Sequence, residues 1–258
     1  MKKTNLQNVS VFFVSLLLFV SCIGEGRNAE VNETVCVVSA KDIFTNVLDL
    51  PDGRSFYSSI FANKTPGDCF WIYYELDHDD PLNSDESVLV NGYYQISLLA
   101  YDEIKSYGIS YEVTDTTTVL NGEVAILEAI ANEWYSYVKG MFFVVSALNI
   151  PSDQEVYWDL SCDMDNVVAE EYLGQRVYNV YLRSQVYSSS TESSKDVGMY
   201  NAFNMRFFLE KVAQEEKKLG RSSFKLCFNY VSEIKDEKLT WAKQYSSNIL
   251  VDYIFPVE

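Results

Sequence analysis

Runs of strand length, rich in β-branched and aromatic residues and closed by tight turns, recur from about residue 34 onward. "TVCVVSA", "RSFYSSIFA", "CFWIYYELD" and "YYQISLLAYDEI" come first, separated by turns such as "LPDG" (50–53) and "TPGD" (65–68). In "YYQISLLAY" the alternation puts Tyr94, Ile96, Leu98 and Ala100 on one face and Gln95 and Ser97 on the other. Four or five strands in about 80 residues suit a small barrel or compact sheet. "DTTTVLNGEVA" (115–125) is polar and turn-rich, and a domain boundary belongs there. After it, "VAILEAIANEWYSYV" is ambiguous. Val124, Leu127, Ala131, Trp134 and Val138 form a helical stripe, whereas strand alternation is poor, so periodicity leans to helix. "GMFFVVSALNI", "EVYWDLSCD" and "RVYNVYLRSQVYSS" read as strands. "NAFNMRFFLEKVAQEEKKLGRSS" reads as a helix, with lysines in its last turn and Gly220 as its cap. "FKLCFNYVSEI" and "NILVDYIFPVE" complete the set as strands.

The N-terminal stretch carries an address. Lys2 and Lys3 precede an apolar run, residues 11–20, that stops at Cys22. The run is shorter than the roughly 20 residues a membrane span needs, and its layout is that of a secretory signal. "LFVSC" resembles a bacterial lipobox, in which the cysteine thiol is acylated and becomes the new N-terminus; Phe19 stands where leucine is usual. Several acyl chains give a stable anchor where one holds only marginally. The expected location is the bacterial cell envelope, as an outer-membrane lipoprotein on its periplasmic or surface face.

Composition restricts the partners. The formal net charge is −17, and loss of Lys2 and Lys3 with the signal makes it more negative. So acidic a body repels phosphate backbones, so no nucleic-acid partner is expected. At 48% apolar and 15% aromatic the chain is too hydrophobic for disorder. Besides Cys22 there are Cys36, Cys69, Cys162 and Cys227. An exported setting permits disulfides, and four cysteines allow three pairings. "VCVV" and "KLCF", however, favour cysteines acting as small core hydrophobes.

The order of lipoprotein signal, small β domain and second β-rich domain resembles the NigD-like lipoproteins of Bacteroidales. "TPGDCFWIYYELD" with "GYYQISLLAYDEI" resembles the last hairpin of that family's OB-type barrel. "IANEWYSYVKGMFFVVSALNI" resembles the entry to its C-terminal β-sandwich, and "FFLEKVAQEEKKLGRSSFKLCFNY" its closing section. The resemblance implies a mainly β fold: signal peptide 1–21, polar tether 22–32, OB-like β-barrel 33–114, linker 115–123, and a β-sandwich with one helix over 124–258. It also implies a strand around Trp134, against the periodicity. It transfers no catalytic residues.

Candidate sites are sparse. In "ELDHDDPLNSDE" (75–86), Asp77, Asp79, Asn83 and Asp85 offer oxygen at alternate positions, as calcium would require. The EF-hand template fails there, with Leu82 and Val88 at its glycine and glutamate positions, and a solvated hairpin loop is the favoured reading. No metal or other cofactor is expected. His78 is the only histidine, which removes most catalytic designs, and no GxSxG, P-loop or GxGxxG is present. Paired acids such as Glu170 with Glu171, or Asp163 with Asp165, are the remaining route to a glycoside hydrolase. "WIYYELD" places Trp71, Tyr73 and Glu75 on one side, a pattern for stacking sugars on an OB-type barrel. "DTT" at 115–117 resembles an acceptor sequence for O-glycosylation at Thr116. The resulting expectation is a non-catalytic, membrane-tethered envelope protein that binds other envelope proteins or glycans.

Overall fold

The computed structural model describes residues 28–130, 137–151, 153–187 and 193–254. Cys22 and Trp134 lie outside them. The first sheet contains β1 (Ala29–Ala40), β2 (Asn46–Asp49), β3 (Ser55–Tyr57), β4 (Cys69–Asp77), β5 (Tyr94–Gln95) and β6 (Ser97–Ile104), in the order β5-β3-β2-β1-β4-β6. All neighbours are antiparallel except β3 and β5. Alternation along β4 explains the curl around a core. Phe70, Ile72, Tyr74 and Leu76 point in to meet Cys36, Leu48, Phe56 and Phe61, while Trp71, Tyr73 and Glu75 point out. Phe61 caps this core edge-on to Phe70, with ring centroids 5.0 Å apart.

Two features of this domain differ from the sequence reading. A bulge in β6 opposes Tyr73 to Ala100 and Tyr74 to Leu98. Leu98 therefore stays on the inner face, but Ala100 moves to the outer one, because the extra residue inverts the alternation. The acidic loop also contains a helix, Asp85–Asn91. The Ser84 hydroxyl accepts from the Ser87 N–H, Asp85 and Glu86 occupy the first turn, and Gly92 ends the helix at φ 70°.

The second domain is a sandwich. One sheet has the order β7-β14-β10-β8, from β7 (Ser106–Tyr107), β8 (Ile126–Ile130), β10 (Met141–Ile150) and β14 (Lys195–Asn204), with β9 (Tyr137–Val138) also on β10. The other has the order β11-β13-β15-β16, from β11 (Val156–Ser161), β13 (Gln175–Val186), β15 (Ser223–Lys235) and β16 (Lys238–Tyr245). Two short strands, β12 (Glu170–Tyr172) and β17 (Ile249–Leu250), border β13 and β15. Phe142 meets Phe228 across the sandwich at 5.5 Å. The helix Arg206–Lys218 stands where its sequence predicts and lays Phe208, Leu209, Val212 and Ala213 on the same core.

Residues 126–130 are strand, not the helix that periodicity suggested. Ala147 pairs with Glu128 but Leu148 with Ile126, so a bulge lies between them. It buries Ile126 and Ala129 and leaves Leu127, a member of the helical stripe, exposed. The final run is strand only at Ile249–Leu250; Val251–Ile254 then make one helical turn, burying Val251 and Ile254.

The two domains are fused. Strand β1 starts at Ala29, inside the stretch read as tether, and β7 is already part of the second domain's sheet. Val35, Val37, Cys69 and Ile104 of the barrel pack against Val138, Met141, Phe143 and Ala202 of the sandwich. The polar stretch 115–123 is tied to β13. Arg183, fully buried, donates to both carboxylate oxygens of Glu123 at 2.6 Å, to the Thr118 carbonyl at 2.7 Å and to the Asp115 carbonyl. Gly122 (φ +72°) fits there because a Cβ would come within 2.2 Å of the Val186 carbonyl oxygen.

All four described cysteines are free and buried. Cys36 faces the barrel core, whereas Cys69 pairs with Val37 and faces the sandwich. Strand register thus turns these two thiols to opposite faces of one sheet. Burial pushes the Cys69 and Cys162 thiols up to about 12, and Cys36 up as well.

Candidate functional site

Where barrel and sandwich meet, the chain diverges. Strand β7 pairs with β14 only at Ala202 and Phe203. Just before it, residues 102–104 leave to pair with β4. The gap between these paths is a cleft of about 560 Å³. Trp71 and Asp102 line it from the barrel, Tyr107 from the connection, Glu155 and Trp158 from the β11 side, and Tyr200 and Asn201 from β14. Trp158 is buried among the sandwich core residues, and Asn201 is only 2% exposed.

The cleft is acidic and aromatic. Asp102, Glu103, Asp153 and Glu155 line it against the single cation Lys105. Lys105 Nζ donates to Glu155 Oε1 at 2.5 Å, which holds the Glu155 carboxyl below its usual range and raises the lysine. Glu103 has Lys64 at 3.9 Å. Burial raises the Tyr107 phenol, an effect Lys105 opposes. Burial raises Tyr200 as well, with the Glu33 carboxylate adding to it. The side-chain nitrogen of Asn201 has no hydrogen-bond partner.

Of the three residues read as a sugar platform, the fold brings only Trp71 to this cleft. Tyr73 and Glu75 share its outward face but lie further along β4, opposite Glu33 and Val31 respectively, Tyr73 exposed and Glu75 half-buried. The oxygen-rich loop is committed to its own backbone. Buried Asn83 donates to the carbonyls of Asp77 (2.8 Å) and Gln95 (2.9 Å) and accepts from the Gln95 N–H (2.7 Å). Asp77 accepts from the Asp79 N–H, Asp79 from the Asn28 N–H, and Asp85 starts the helix. Among the described residues no group of three or more His, Cys, Asp or Glu is placed to hold a metal ion. Thr116 is half-buried, its carbonyl accepting from Trp241 Nε1 at 3.1 Å. The neighbouring Asp115 is held well below the usual carboxylate range by hydrogen bonds from Thr118 and Thr117. Asp102, Tyr200 and Asn201 escaped the sequence reading.

Residues 26–102 match a family model described as Lipoprotein OB domain. The first domain is thus similar to a lipoprotein OB domain. The likeness is to a family of lipoproteins, which supports an envelope-associated address. Among solved structures, an uncharacterized protein from Parabacteroides merdae ATCC 43184 is similar at 18% identity and a TM-score of 0.74, covering 85% of this chain and 99% of its own. A chain described as a lipoprotein, from Bacteroides fragilis NCTC 9343, is similar at 12% identity and a TM-score of 0.55, covering 84% and 98%. A NigD-like immunity protein from Bacteroides caccae ATCC 43185 also appears, at 10% identity and a TM-score of 0.46, covering 83% and 92%, a level on which no argument rests. No curated protein matches the sequence. The first two likenesses span both the OB domain and the sandwich and establish the fold. No helix among the described residues is long and apolar enough to cross a membrane.

Proposed function

We propose that the chain is an exported lipoprotein of the outer membrane, acylated at Cys22, that serves as a non-catalytic binding or assembly component of the envelope. The observation that carries this is the match of residues 26–102 to a lipoprotein OB domain immediately after an apolar run ending on Cys22. Acylation is the anchor; the cleft between the OB domain and the sandwich is the binding surface. Metabolic labelling with a palmitate precursor tests the reading. The native chain should take up label and fractionate with outer membranes, and Cys22→Ala should do neither. A native chain that stays unlabelled and soluble refutes it.

A second reading, sugar binding, draws on the outward face shared by Trp71 and Tyr73. A glycan array on the native chain and on Trp71→Ala distinguishes it. Modification at Thr116 is a further proposal, tested by the intact mass of the exported chain against Thr116→Ala. A difference equal to the substitution alone ends it.

A further inference from the structure

We propose that the open edge of β14 and the adjoining cleft accept an extended basic peptide segment, which adds to the sheet as a strand and places a lysine or arginine between Tyr200 and the barrel. The proposal deepens the reading of the chain as a binding component and rests on it.

The backbone supplies the first part. The Ala202 N–H donates to the Lys105 carbonyl, toward β7. N–H and C=O groups of alternate residues point to the same edge of a strand, so Tyr200, Gly198 and Asp196 present theirs to that edge too. Strand β7 ends its pairing at Ala202, and no strand among the described residues covers the edge below it. An uncovered edge of this kind is a template for another strand. The space beside Gly198 is open, since a Cβ built there meets nothing within 4 Å.

The side chains supply the second part. A peptide residue paired opposite Tyr200 projects from the same sheet face as Tyr200, the face whose Phe143 and Ala202 pack on the barrel. It therefore enters the cleft beside Trp71 and Asp102. Of the lining carboxylates, Glu155 is engaged by Lys105 and Glu103 has Lys64 at 3.9 Å, so the exposed Asp102 is the carboxylate on which the cation's recognition rests. An arginine or lysine stem lies well along aromatic rings while its charged head meets carboxylates. Asn201, the next residue along from Tyr200, turns its side chain to the other face of β14, beside Val144 of the sandwich core, and takes no part in this contact. A neutral sugar leaves Asp102 and the open strand edge unused.

The test uses the full acylated chain in detergent micelles and a fluorescein-labelled peptide, acetyl-TVTVKVTVT-amide, followed by anisotropy. The peptide should bind, and exchanging its lysine for glutamate should weaken binding at least about tenfold. Gly198→Pro removes only an edge-facing donor, which edge strands tolerate, and should weaken binding about tenfold. Asp102→Lys, at an exposed position, should weaken it about fivefold or more. Thermal melts identify any variant that fails to fold, and Asp102→Lys decides the matter if Gly198→Pro does not. Absence of binding by the lysine peptide overturns the proposal. So does equal binding of lysine and glutamate peptides, indifference to Asp102→Lys, or displacement of the peptide by a neutral oligosaccharide. Cys22 labelling is independent of all these outcomes, so a chain that is acylated yet ignores the peptide loses this site and keeps its anchor.

Discussion

The OB domain and the sandwich pin their irregular segments by opposite chemistry. In the OB domain the clamps are neutral amides. Asn46 aims its Nδ2 at the carbonyls of Phe61, Ala62 and Lys64, and Asn83 bonds Asp77 and Gln95. In the sandwich they are buried ions. Arg183 with Glu123 holds residues 115–123, while Arg176 and Tyr178 meet Glu216 of the helix at 2.6 and 2.5 Å. A neutral clamp that loses one partner leaves a few polar groups to rehydrate. An ionic clamp that loses one partner leaves a charge in the interior. The sandwich is therefore the domain whose structure depends on single side chains.

The sharpest way to break this contrast is Arg183→Ala. It strands the fully buried Glu123 and should cost about 3–5 kcal/mol in urea unfolding. A cost under about 1 kcal/mol would show that water reaches the pair. Replacing both partners, Arg183→Met with Glu123→Leu, should recover much of the loss. In the OB domain, Asn83→Ala should cost less, about 1–3 kcal/mol by the same assay. An equal or larger cost than Arg183→Ala would erase the distinction between the clamps.

Alkaline pH sharpens it further. Burial pushes the phenols of Tyr74 in the OB domain and Tyr178 in the sandwich up to about 12, and the bond to Glu216 adds to the second. Both states are protonated below the unfolded value of 10, so the contribution is complete there. Only the unfolded chain readily ionises above it, so stability falls as pH rises from 10 toward 12. Urea midpoints at pH 9 and 11 should differ for the native chain and differ less for Tyr178→Phe. Smallest of all is the effect of reductant. With no disulfide among the described cysteines, dithiothreitol should leave the melting midpoint unmoved. A thiol reagent at pH 8 should label the folded domains only after unfolding, since burial raises Cys36, Cys69 and Cys162.

Much of the architecture was legible because local chemistry and final structure agree. Strand β4 alternates in sequence as it does in space, and the helix at Arg206–Lys218 carries its own stripe and terminal lysines. The errors cluster at bulges. One extra residue in β6 turned Ala100 outward, and one in β8 left Leu127, part of the helical stripe, facing solvent. A bulge is a property of two strands together, so one strand's pattern does not reveal it. The short helix at Asp85–Asn91 was hidden by its acidic surroundings, although Ser84 and Gly92 stood ready as its caps.

The sequence alone determined the strand-built body, since that depends on composition and on neighbours a few positions apart. Only the tertiary structure decided the cleft. Trp71, Asp102, Asp153 and Tyr200 come from four separate stretches and meet because Val35, Val37, Cys69 and Ile104 pack on Met141, Phe143 and Ala202. Apolar burial without direction drew the two domains together, and that contact placed carboxylates and rings beside a strand edge.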